Sequence, residues 1–282
     1  MKKKNNTPTF LRIIRWGYPR VERIFPSLAH RFFIRLFLTP LRYRVPGKER
    51  KAETFADEFL LEAAGKKIQC YSWGEGPLVL VVHGWAGRAT QFRRFIKPFN
   101  AAGYRVIGFD GPAHGKSEGR KTDIREFEEA LHKIYTKCGQ PVAILAHSFG
   151  GGAVLYAAMN GLNVPKLINI SSPTIGDEII GTYLTTIGAS EATGLAFKKH
   201  IVDTYGSPFD HYTASYFVQH LPHPIDLLLV HDETDKEVNI RNAEALLKLY
   251  PSARLVRTNG LGHTRILKDD EVIKTCVTFV TG

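Results

Sequence analysis

The chain has 282 residues, 44% hydrophobic and 23% charged, enough to bury one large core and too apolar for a disordered or fibrous protein. Its three cysteines, Cys70, Cys138 and Cys276, are odd in number and scattered, which argues against a disulfide framework and a zinc site and points to a reducing, cytoplasmic compartment. The net charge of +11 is concentrated at one end: residues 1–51 hold 14 Lys or Arg against Glu22 and Glu49, so the remaining chain sums to −1, and with no binding motif beside the basic tail no nucleic acid is expected.

The N-terminal stretch has no secretory signal, because Arg12 and Arg15 interrupt the apolar run that follows "MKKKNNTPTF". The richest apolar segment, "RFFIRLFLTPL", is about half the ~20 residues that a membrane span needs and contains Arg35. On a helical wheel Val21, Phe25, Leu28, Phe32 and Leu36 share one side, with Arg20, Arg23, Arg31 and Arg35 broadly opposite. Pro26 divides this basic amphipathic pattern in two, and Ser27 is in position to cap the second piece. Two readings stand: the apolar stripe packs on the main domain, or residues 1–51 attach the chain peripherally to an anionic membrane at its inner face.

From residue 53 the pattern changes. "TFADEFLLEA" and "KIQCYSW" read as strands joined by the turn "AGKK", and "LVLVVH" is a continuous apolar run of the kind that forms a strand covered on both faces. A helix near 88–101, the strand "YRVIGFD", a helix opened by an Asp123 cap with Glu126, the strand "PVAILAH" and a helix from residue 149 follow. "KLINIS", "IDLLLVH", a helix near 240–249, "ARLVRT" and a last helix complete the alternation, which predicts an α/β fold: a mostly parallel sheet with helices on both faces. Between Pro173 and Pro222 the rhythm stops, and about fifty residues rich in Tyr and Phe contain no clear strand. An insertion of that length reads as a lid. The expected organisation is a basic N-terminal extension over 1–52 and one domain over 53–282, with the insertion at about 174–222.

"ILAHSFGGG" sets Ser148 between a strand and a helix rich in glycine. In an open parallel sheet ligands collect at the carboxyl ends of the strands, and a tight strand-to-helix turn there lifts a hydroxyl out of the sheet. An alcohol is a poor nucleophile at neutral pH and needs a base and a group to orient that base. His263, in the loop "TNGLGH" after "ARLVRT", and Asp235, in "HDETDKEV" after "IDLLLVH", end at the same sheet edge.

Four motifs occur in order: "HGWAG" after the third strand, "FDGPAHGKS" after the fourth, "AHSFG", and "HDETD" with "GLGH" after the last two. Over residues 54–282 the sequence resembles the α/β-hydrolase superfamily, and within it the bacterial single-domain serine esterases and lipase-like hydrolases. The resemblance implies an α/β-hydrolase fold, Ser148 as nucleophile, Asp235 as acid and His263 as base, and an oxyanion hole of the Phe149 and Trp85 backbone N–H groups. Two positions depart from the pattern: Ala146 stands at the first Gly of G-x-S-x-G, and Asp232 stands at the Gly of H-G-x-x-D, which makes Asp232 a rival acid although the offset favours Asp235.

The implied activity is hydrolysis of esters of apolar acyl groups, of carboxylesterase or lysophospholipase type, without cofactor or metal. A thioesterase or acyltransferase would use the same triad, and a non-catalytic membrane-associated binding module could keep the same fold. His83 and Gly84 read as shaping the oxyanion loop, and Asp110, His114 and Ser117 as belonging to a loop tied to the fold. His147 is expected to point away from the reacting groups, and His211, His220 and His223 lack a metal-ligand spacing. The oligomeric state is not legible in the sequence.

Overall fold

The computed structural model describes residues 9–282. In chain order the helices are α1 (Thr9–Ile24), α2 (Pro26–Phe37), α3 (Gly47–Glu53), α4 (Arg93–Ala101), α5 (Ile124–Cys138), α6 (Phe149–Met159), α7 (Gly176–Ile187) and α8 (Glu191–Tyr205). They continue with α9 (Ala214–Phe217), α10 (Arg241–Leu249), α11 (Gly262–Arg265) and α12 (Asp270–Thr281). The strands are β1 (Asp57–Ala63), β2 (Lys66–Trp73), β3 (Leu78–Val82), β4 (Arg105–Phe109), β5 (Ala143–His147), β6 (Lys166–Ile170), β7 (Asp226–Asp232) and β8 (Arg254–Thr258).

The chain divides into two compact units. The larger spans Thr39–Ile175 and Tyr212–Gly282, and the smaller joins the chain up to Leu38 with Gly176–His211.

Among the described residues the larger unit holds one eight-stranded sheet in the order β1-β2-β4-β3-β5-β6-β7-β8. The pairings of β1 with β2 and of β2 with β4 are antiparallel and all others parallel. The continuous apolar run of β3 follows from coverage on both faces. Leu78, Leu80 and Val82 enter one core with Phe127 and Leu131 of α5, while Val79 and Val81 enter a second core with Phe95 and Phe99 of α4 and Val272 of α12. Asp123 caps α5 as expected, accepting bonds from the N–H groups of Arg125 and Glu126. The result is the expected α/β-hydrolase fold, with β5, β7 and β8 ending on loops that carry Ser148, Asp235 and His263.

The smaller unit is helical. Tyr18 Oη lies 3.1 Å from the Ala29 carbonyl and 2.8 Å from Thr193 Oγ1, and Phe33 and Phe37 pack on Phe197 with ring centroids 5.6 and 4.4 Å away. Two expectations are corrected here. The second helix is opened by Pro26 at its first position behind Phe25, with no side-chain cap from Ser27, because proline is already shaped for that site. The buried residues of α1 and α2 are Tyr18, Ala29 and Phe33, whereas Val21, Phe25, Leu28 and Phe32 of the predicted stripe are exposed.

Candidate active site

Ser148 stands between β5 and α6 at φ 53° and ψ −126°, a left-handed conformation that costs a non-glycine residue of order 1–3 kcal/mol and is held only by its surroundings. Here the Ser148 N–H donates to the Ile170 carbonyl at 2.8 Å, and its own carbonyl accepts from the Gly151 N–H at 3.0 Å and Ser172 Oγ at 2.7 Å. Two of the three glycines in "SFGGG" are there for space. A Cβ on Gly150 would sit 2.5 Å from the Val82 carbonyl oxygen, and one on Gly151 would sit 1.9 Å from Asn169 Oδ1.

Three elements then converge. His263, in α11, brings Nε2 to 3.1 Å from Ser148 Oγ and Nδ1 to 2.8 Å from Asp235 Oδ2. The other oxygen of Asp235 accepts the backbone N–H groups of Glu237 at 2.8 Å and Val238 at 3.0 Å. Burial alone would raise the Asp235 carboxyl, but its bond to His263 and these backbone donors hold it below the usual carboxylate range. An ionised acceptor behind Nδ1 fixes the tautomer that presents Nε2 as a base toward the hydroxyl.

Asp232 sits elsewhere in the wiring. It accepts from the Thr234 N–H at 3.0 Å, Thr234 Oγ1 at 2.6 Å, Thr258 Oγ1 at 2.8 Å and the Leu261 N–H at 2.9 Å. Against the upward pull of burial, these donors hold its carboxyl far down. It clamps the loops after β7 and β8 together, and Asp235 alone of the two reaches His263.

The loop after β3 crosses close to the hydroxyl. A Cβ on Gly84 would lie 2.8 Å from Ser148 Cβ, so only glycine lets the loop pass there. Residues 84–87 form a turn closed by the Gly87 N–H on the Gly84 carbonyl at 2.9 Å, with Ala86 at φ 55°. The Trp85 N–H lies outside that bond, and the Phe149 N–H opens α6, whose first-turn donors have no partner within the helix. The rings of Trp85 and Phe149 meet edge to face at 5.2 Å and give the site an apolar wall.

His83 ties the loop down. Its Nδ1–H donates to the Gly84 carbonyl at 2.7 Å, its Nε2 accepts from the Gly111 N–H at 2.8 Å, and burial lowers its pKa to about 4, so it stays neutral. Asp110 receives the N–H groups of Ala89 at 3.0 Å and Lys116 at 2.8 Å, and Ser117 donates to its carbonyl. His114 is buried, driven down to about 2, and holds the Pro112 carbonyl at 2.9 Å. All of these serve the loops. Of the insertion histidines, His220 bonds its own helical turn at the Tyr216 carbonyl at 2.7 Å. Among the described residues no group of three or more His, Cys, Asp and Glu is set to hold a metal.

His147 is the residue that sequence reading undervalued. Against expectation its ring lies beside the reacting groups, with its centroid 4.7 Å from that of His263, and its Nε2–H donates to the His263 backbone carbonyl at 2.9 Å, 116 positions along the chain. Burial lowers its pKa to about 3, so the ring is neutral at neutral pH, and the carbonyl, which can only accept, selects the tautomer with the proton on Nε2. Adjacency to Ser148 was the available signal, and the partner was invisible without the fold.

A family model described as the α/β hydrolase fold matches residues 77–185, in agreement with the α/β-hydrolase fold of the sheet described above. The magnesium-chelatase 30 kDa subunit of Rhodobacter capsulatus is 28% identical over 156 residues, 51% of this chain and 54% of that protein. The monoacylglycerol lipase of Mycolicibacterium smegmatis is 32% identical over 85 residues, 27% of this chain and 30% of that protein. The chain thus spans about half or less of the length of these relatives. Among solved structures, a Pyrococcus furiosus esterase superposes with a TM-score of 0.63 at 17% identity, over 86% of this chain and 96% of that one, a likeness of fold.

Proposed function

We propose that the protein is a serine hydrolase that cleaves carboxylic esters of apolar acyl groups, working in the cytoplasm at an anionic membrane surface that its basic N-terminal segment meets. The observation that carries the reaction is the unbroken chain from Ser148 Oγ through both nitrogens of His263 to Asp235, at 3.1 and 2.8 Å. An esterase and a lipase among its relatives and structural neighbours support the ester bond, and the Trp85–Phe149 wall supports an apolar acyl group.

In this reading His263 Nε2 takes the Ser148 proton as Oγ bonds to the ester carbonyl carbon. The carbonyl π electrons move to its oxygen, where the Phe149 and Trp85 N–H groups meet the developing charge. Collapse breaks the bond to the alkoxy oxygen, which leaves as an alcohol with the proton held on Nε2. Water, deprotonated by the same nitrogen, then attacks the acyl-enzyme and releases the acid and free Ser148. Asp235 keeps the imidazole oriented and stabilises its charged form throughout.

Fluorophosphonate labelling tests this directly. Wild type should label, Ser148→Ala and His263→Ala should not, and turnover of p-nitrophenyl esters should peak at a medium or long chain. A folded wild type that neither labels nor turns over any ester sinks the reading and favours a binding module, while preference for acyl thioesters would move the leaving group and keep the triad.

A further inference from the structure

We infer that α1 and α2 dock on an anionic bilayer through their outer face, lying in the plane of the lipid surface with Phe10, Ile13, Trp16, Ile24, Phe25 and Leu28 entering the acyl boundary. The inference deepens the membrane reading above by assigning the face that binds, and it is independent of the acyl chemistry.

The first argument is that both helices are apolar on two sides and only one is used. Tyr18, Ala29 and Phe33 are buried within the smaller unit, where Phe33 and Phe37 pack on Phe197. That leaves the other side without a covering, and the six side chains just named are 49–67% exposed. Of sixteen large apolar side chains exposed among the described residues, eight lie between Phe10 and Phe32. A concentration of that kind marks an interaction surface, unlike singly scattered exposed residues.

Charge selects the occupant. Residues 9–38 carry six arginines, all exposed, against the single acid Glu22. Glu22 is engaged inside the unit, accepting the Ser190 N–H at 3.1 Å and Ser190 Oγ at 2.6 Å. A second copy of a face so positive would be repelled, whereas lipid phosphates would not. The Arg20 guanidinium stacks 4.0 Å above the Trp16 ring, joining an aromatic that favours the headgroup level to a cation that reaches phosphate. Lys2, Lys3 and Lys4 precede this segment in the sequence and add to the attraction. Among the described residues no helix is long and apolar enough to cross a membrane, so the pair lies on the surface. The 16 residues of α1 give it about 24 Å of length for that contact.

The test is flotation of the full chain with vesicles of phosphatidylcholine, with and without phosphatidylglycerol, at low and high salt. Wild type should float with the anionic vesicles and lose binding as salt rises. Trp16→Ser with Ile24→Ser and Leu28→Ser should lower partitioning by tenfold or more, on the order of what lost burial of three apolar side chains implies. Arg12→Gln with Arg23→Gln should lower it by about fivefold per arginine. Because all five side chains are exposed, an unchanged thermal midpoint serves as the fold control. Wild-type binding that the triple variant retains would overturn the assigned face and leave attachment to the lysines at residues 2–4. No binding by wild type would overturn the membrane reading itself, and a dimer in solution that the triple variant converts to monomer would assign the face to a second copy instead.

Discussion

In the roles proposed for them, the loops around Ser148 and the outer face of α1 and α2 are opposite solutions to the problem of meeting a partner. At the first, each polar atom has named partners: Ser148 Oγ with His263, His263 with Asp235, the His263 carbonyl with His147, and Asp232 with donors from Thr234, Thr258 and Leu261. At the second, apolar side chains and arginines are spread over two helices with little pairwise wiring. A reacting carbonyl must be met at one distance and angle, so a constellation fixes each atom. A fluid surface has no register, so composition suffices. Substitutions in the first region should therefore be large and non-additive, while those in the second should be graded and close to additive.

Loss of the proposed nucleophile is the largest effect expected. Ser148→Ala and His263→Ala should each lower kcat/KM by about 10⁴-fold or more, and the double variant should be little worse than either, since the two act as a unit. Multiplying losses would break the contrast drawn above.

The two aspartates divide chemistry from stability. Asp235→Asn should cost about 10³- to 10⁴-fold in kcat, because an amide behind Nδ1 favours the wrong tautomer. Asp232→Asn should keep most turnover and lower stability by about 2 kcal/mol, the scale of lost hydrogen bonds to a charged acceptor. The Asp232 carboxyl titrates below its unfolded value near pH 4, so its contribution is fully present above about pH 4 and is lost as pH falls through the folded pKa. Urea unfolding of Asp232→Asn beside wild type should show a gap near pH 7 that closes on acidification. A gap that widens instead would remove Asp232 from the clamp.

Much of this was legible before the fold. The run "LVLVVH", the alternation of strands and helices, and the placing of Ser148, Asp235 and His263 after three strands all follow from local pattern, and local pattern fixes which end of a parallel strand a loop leaves from. What stayed hidden depends on partners distant in sequence. His147 contacts a carbonyl 116 residues away, Ser172 bonds the Ser148 carbonyl from the loop after β6, and the preference for Asp235 over Asp232 rests on motif offset alone until the position of His263 is known. The packing reading of the amphipathic stripe failed for a different reason: α1 and α2 have apolar residues on two sides, and a wheel shows sidedness without saying which side is covered.

His147 should sit lower in the ranking, as a positioning residue acting through His263. His147→Phe keeps the volume and removes the donor, so kcat should fall by about tenfold with KM little changed, and His147→Gln, which restores an N–H, should recover part of the loss. Since burial lowers this ring to about 3, it takes up no proton across the working range, and the acid limb of kcat should keep its midpoint in the variant. The native pKa lies below the unfolded value of about 6.5. The stability of wild type that depends on neutral His147 is thus present above pH 6.5 and is lost as pH falls toward 3. Thermal midpoints of His147→Phe should fall less steeply over that window, and an identical slope would show that the ring titrates as freely folded as unfolded.

The smallest effect expected is a gain, and it comes from within "SFGGG" itself. Gly150 and Gly151 have no room, since a Cβ on either would fall within 2.5 Å of an oxygen, but a Cβ on Gly152 would meet nothing within 4 Å. Gly152 lies inside α6 without a positive φ, so its only structural consequence is the extra freedom it gives the unfolded chain. Gly152→Ala should raise stability by about 0.5–1 kcal/mol and leave the Ser148 bonds intact. Turnover that falls along with the rise in stability would mean that the first turn of α6 moves during the reaction. Unchanged turnover would fit an elbow set entirely by its two crowded glycines, its bond to Ile170 and the Ser172 hydroxyl.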